Sequence, residues 1–114
     1  MCHNLRTHRQ MAMNIAADIA HASRLGKTAI TPIGRRLAYE VKAKKISTAL
    51  VKFREFFKVA GANRDAKFGV LLLVRLPNGI GAHVPMNLLT VEAQALVHSS
   101  VVSLIEGSSY PVAA

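Results

Sequence analysis

A chain of 114 residues is long enough to build one hydrophobic core and too short for two. With 51% hydrophobic and 18% charged residues it does not have the composition of a disordered chain, and its longest apolar run, residues 70–74, is strand-sized rather than the roughly 20 residues of a membrane span. The formal net charge of +9 falls entirely within residues 1–60. An asymmetry of that kind is an argument about partners, not about fold.

Residues 1–9 contain His3, His8, Arg6 and Arg9 with little to bury, and read as a flexible N-terminus. Met1, Cys2 and His3 would suit copper or nickel only if Met1 were retained, and Cys2, His3 and His8 fall short of a four-ligand zinc set, so no metal site is expected. Cys2 is the single cysteine; it cannot form an internal disulfide and fits a reducing compartment, and the cytoplasm is the expected location. Residues 10–25 read as a first helix, rich in alanine, with Ala12, Ile15, Ile19 and Ala22 as a narrow apolar stripe and Gly26 as its C-cap. The short link that follows predicts a helical hairpin. A DNA-reading helix-turn-helix fits less well, because the second helix is too long and no compact third helix follows directly.

Residues 31–60 form the stretch on which the chain is organised, a long basic amphipathic helix. Thr31 supplies the N-cap, Pro32 the first helical position and Gly61 the stop. Tyr39, Ala43, Ile46, Leu50, Phe53, Phe57 and Ala60 recur at spacings of three and four and form the core stripe. Arg35, Arg36, Lys42, Lys44, Lys45, Lys52, Arg54 and Lys58 lie between them against only Glu40 and Glu55. Leu37, Val41 and Val51 interrupt the opposite face; contact on both sides of the helix is the favoured reading, single exposed apolar residues the other.

After a polar turn the pattern becomes extended. Residues 68–76 and 80–86 read as a two-stranded antiparallel hairpin closed by Pro77, Asn78 and Gly79. The first strand is apolar on both faces, while Pro85 marks the second as an outer edge. The first strand's other edge is then open, and Val70, Leu71, Leu72 and Leu73 are expected to form the interface of a homodimer. Thr90 caps a last helix, Glu92 sits in its first turn, Gly107 ends it, and residues 108–114 read as a flexible tail. Residues 10–107 therefore make a single α+β domain of order ααββα.

No set of groups converges on a reaction. His21, His83 and His98 fall on separate elements, the six carboxylates are scattered, and Gly79 and Gly81 lack the rest of a dinucleotide motif. The chain reads as a non-enzyme without a cofactor. The eight cations of the long helix can neutralise consecutive phosphates, and no aromatic stacking strip or base-reading motif accompanies them. The expected function is sequence-independent contact with nucleic-acid backbone by a small regulatory or accessory protein. The alternative is an interaction module that dimerises and docks on an acidic protein, since the same charge serves both. A membrane-surface role is not expected, because the apolar face is needed for the core.

Overall fold

The structure is a computed structural model that describes residues 5–107. In chain order it holds α1 (Leu5–Thr28), α2 (Pro32–Lys52), β1 (Lys58–Asp65), β2 (Gly69–Arg75), β3 (Gly81–Pro85), a single 3-10 turn (Met86–Leu88) and α3 (Val91–Gly107). The α+β class stands, but the sheet has three antiparallel strands in the order β1-β2-β3 where two were expected. The expectations for Cys2, His3 and the tail at 108–114 lie outside the described residues.

α1 begins at Leu5, so residues 5–9 extend the helix rather than precede it, and the His8 ring lies 4.9 Å from that of Phe53. Ala12, Ala16, Ile19 and Ala22 are its buried stripe. Gly26 does not cap the helix, which runs on to Thr28. It sits where α1 and α2 approach, and a Cβ there would lie 3.5 Å from that of Ala38. Small residues on both helices let them pack closely as the expected hairpin.

α2 starts as its sequence dictates. Thr31 is extended, its hydroxyl accepts from the Gly34 N–H at 3.0 Å, and Pro32 occupies the first position. The helix ends at Lys52, not near residue 60: Phe53 leaves helical geometry while its N–H still bonds the Ala49 carbonyl at 2.8 Å. Phe56 closes a turn onto Phe53, and the chain departs as β1. Gly61, expected to stop a helix, lies within that strand opposite Leu73, next to an irregularity that leaves Ala60 unpaired. The physical reason is tertiary. β2 is apolar along its length, and a neighbour on each edge satisfies its backbone while the sheet buries Leu72 and Val74 completely.

The two turns of the sheet are locally encoded. Between β1 and β2 the Asp65 carboxylate accepts from the N–H groups of Lys67 and Phe68, both at 2.9 Å, and Gly69 takes φ +81. Between β2 and β3 the Asn78 side chain accepts from Ile80 N–H at 3.1 Å and Gly79 takes φ +88. β3 is an outer edge, as Pro85 foretold, although Pro85 itself is buried. Within β3 Ala82 and Val84 are buried while Gly81 and His83 are exposed, and Ile80, which precedes the strand, is exposed.

One core joins Ile19 of α1, Ile46 and Leu50 of α2, Phe53 and Phe57 of the connection, Leu72, Val74 and Val84 of the sheet, and Ala93, Val97 and Val101 of α3. Each fully buried aliphatic or aromatic side chain contributes about 1.5–3 kcal/mol. Leu96, next to Val97 in α3, is exposed. α3 is held at its start by a buried polar relay: the Ser47 hydroxyl donates to the Ala43 carbonyl at 2.8 Å and accepts from the Thr90 N–H at 3.0 Å. The Thr90 hydroxyl in turn accepts from Ala93 N–H at 3.2 Å as the N-cap.

Candidate functional site

The eight cations expected along one helix separate into four groups. Lys44, Lys45 and Lys52 are exposed on the outward face of α2. Arg35 and Arg36 are exposed at its N-terminal end, about 24 Å from Lys52 at 1.5 Å per residue, and Arg36 pairs with Glu40 at 3.3 Å. Arg54 and Lys58 lie beyond the helix, in the connection and at the start of β1, and both are exposed. Lys42 is buried, which removes it from any free basic surface.

Lys52, Arg54 and Lys58 remain near one another along the chain, at the end of α2, in the short connection and at the start of β1. The sheet adds Arg75, exposed at the end of β2 directly opposite Lys58. Arg75 had no place in a reading that lacked β1, since its neighbour is set by strand register and not by sequence distance. Two acids fall among these cations: Glu55 is exposed between Arg54 and Lys58, and Asp18 pairs with Lys45 at 3.5 Å with both side chains well exposed, a contact worth little in water.

The outward face of α2 is not uniformly basic. Leu37 and Val41 are exposed, and with Leu25 and Ala29 they line an open apolar groove at the tip of the helical hairpin. The expected second contact therefore does not come from the described residues of this chain. Val51, by contrast, is half-buried and packs on the core. The strand expected to dimerise is corrected as well. Residues 70–73 belong to β2, the central strand, and both of its edges are already paired, by β1 and by β3. Leu72 is fully buried, while Val70, Leu71 and Leu73 are half-buried, so the open edge on which a homodimer was argued does not exist.

Lys42 opens instead into a cleft of about 480 Å³ between the last turns of α1 and the β3 edge. Its ammonium lies 5.3 Å above the Tyr39 ring, whose other neighbour is Phe68 at 6.0 Å between ring centres. Burial, and secondarily the charge of Lys27, hold its pKa below the ordinary lysine value. His83 borders the same cleft from β3, while His98 is exposed on α3, so the histidines do not meet. Among the described residues no three of His, Cys, Asp and Glu are grouped as metal ligands. No helix among them is long and apolar enough to cross a membrane.

Comparison with family models, with curated proteins and with solved structures finds no match to this chain. Lys42 was legible as a helical position but not as a buried one, because the buried side of α2 is broader than the expected stripe: Ala43, Ile46 and Leu50 are buried as read, Tyr39 is exposed, and Ala38, Lys42, Ser47 and Ala49 are buried beside them.

Proposed function

We propose that this protein contacts nucleic-acid backbone, without reading sequence, through Lys44, Lys45, Lys52, Arg54 and Lys58, with Arg75 beside them. The observation that carries the reading is the charge distribution: the whole +9 belongs to residues 1–60, and these cations are solvent-facing. Neutralising about five phosphates predicts that log affinity for duplex DNA falls with log salt at a slope near −4.5. The test compares two charge reversals of equal size. Lys44→Glu/Lys52→Glu alters the proposed surface. Arg64→Glu/Lys67→Glu alters the β1–β2 turn, about 20 Å along the strand from Lys58 at roughly 3.3 Å per residue. The first pair is expected to weaken binding at least tenfold and to flatten the slope by roughly two; the second is expected to do far less. Equal weakening by both pairs would reduce the attraction to diffuse charge and refute the assignment.

A second reading draws on Leu37 and Val41, whose exposure beside the cations fits docking on a protein that is acidic with an apolar patch. Protein purified at low salt distinguishes the two. Nucleic acid that copurifies and leaves on a high-salt wash, seen in the absorbance ratio at 260 and 280 nm, supports the first. A stoichiometric partner protein lost from Leu37→Ser/Val41→Ser, with DNA affinity unchanged, supports the second.

A further inference from the structure

The cleft at Lys42 is separate from the surface just described, and its composition is unusual for a basic protein's interior. Lys42 is 6% exposed, and among the described residues no oxygen accepts a hydrogen bond from its ammonium. It lies over the face of Tyr39, and its three N–H donors are free to meet whatever occupies the cleft. Arg24 and Lys27 border the same space, and no carboxylate does. Three cations border this space without an acid, and Lys42 brings its charge to the cleft on an otherwise buried side chain, so the cleft is positively charged with no carboxylate of its own to offset it. The rest of the wall is largely apolar, with Ala20, Phe68, Leu76 and Ala82 among its residues. A volume of about 480 Å³ is within the range of small-molecule sites, roughly 300–1,000 Å³.

We propose that this cleft binds a small organic anion, with a phosphate or carboxylate head pairing with the Lys42 ammonium and an apolar body of about one ring against the Ala20–Ala82 side. Arg24 and Lys27 at the border draw the head in, and the wall around Ala20 and Ala82 selects against bare inorganic ions. An anion seated there would also bring the Lys42 pKa back toward its ordinary value, because it offsets both causes of the depression.

The experiment is a titration of phenyl phosphate into the ¹⁵N-labelled full chain at 150 mM salt and pH 7, followed by backbone amide shifts. Saturable shifts centred on Tyr39, Lys42, Ala82 and His83 are expected, with weaker binding of inorganic phosphate. Lys42→Met should lower affinity about tenfold or more, the loss of one charge-assisted hydrogen-bonding group. Lys44→Met, which removes the same charge from an exposed position of α2, should leave it unchanged. Ala20→Leu, which fills the cleft and keeps Lys42, should weaken binding and serves as the deciding variant if Lys42→Met does not fold. Shifts that grow linearly and spread over Lys44, Lys45 and Lys52, or equal affinity in the wild type and Lys42→Met, would overturn the proposal. Equal affinity for inorganic phosphate and phenyl phosphate would overturn its apolar half.

Discussion

Replacing Ser47 by alanine deletes one oxygen atom from the middle of the protein and should be among the costliest small changes in α2. The hydroxyl is 2% exposed and makes two hydrogen bonds, to the Ala43 carbonyl and from the Thr90 N–H. Only the second loss matters much. Ala43 keeps its place in the helical ladder, whereas the Thr90 N–H has no other acceptor at the point where α3 begins. An orphaned, partly buried donor costs about 1–3 kcal/mol. For a domain of this size each kcal/mol is worth roughly 4–8 °C of Tm, so a fall of about 5–20 °C is expected. The neighbouring residue provides the control. Thr48 makes the same kind of bond, from its hydroxyl to the Lys44 carbonyl at 3.2 Å, but in an exposed position. Thr48→Ala should stay within about 0.5 kcal/mol. Urea unfolding of both variants at constant m-value gives the comparison, and amide hydrogen exchange at Thr90 should accelerate in Ser47→Ala alone. If the two substitutions cost the same, or Thr90 exchange is unchanged, the relay does not anchor α3 and the reasoning fails.

Two further outcomes follow from the packing. Phe53→Ala, which empties a site 3% exposed and removes the partner of His8, should cost ~3–5 kcal/mol in urea unfolding; an unchanged midpoint would mean that the ring is not part of the core. The depressed pKa of Lys42 makes stability depend on pH in a defined direction. Between its folded value and 10.5 the unfolded chain binds more protons, so stability rises with pH there, with Arg24, Lys27, Tyr39 and His83 as the titratable groups facing the same cleft. Lys42→Met lacks this contribution, so the stability of the wild type should rise relative to that of the variant as pH climbs from 7 toward 10; a constant difference refutes it.

The parts of the fold written in local chemistry were legible. Thr31–Pro32 and Thr90 cap the helices they were expected to cap, and Asn78–Gly79 turns the second hairpin. β1 was missed because the helical spacing of Ile46, Leu50, Phe53, Phe57 and Ala60 continues past the end of the helix. Phe53 and Phe57 are indeed buried, but by a turn and a strand that happen to preserve the spacing. A competing signal was present: Asp65 three residues before Phe68, followed by Gly69, is the side-chain turn that closes a hairpin. The candidate site was less legible than the fold. Total charge is a property of composition, but its grouping depended on where α2 ends, which strand Arg75 faces and which way Lys42 points, and each of these is fixed by contacts distant in sequence.

The irregular places in the outer strands bear on a hazard that the chain carries from synthesis. Residues 70–74 combine high β-propensity with no charge and no proline, the composition of segments that stack into fibrils. In the folded protein this segment is flanked on both sides, and the flanking strands are poor templates for further growth: β1 carries the unpaired Ala60, and β3 ends at Pro85, which offers no N–H. The danger is thereby confined to the interval before β1 and β3 have docked. Conditions that slow that docking, rather than those that lower equilibrium stability, are the ones that should drive this protein toward aggregation.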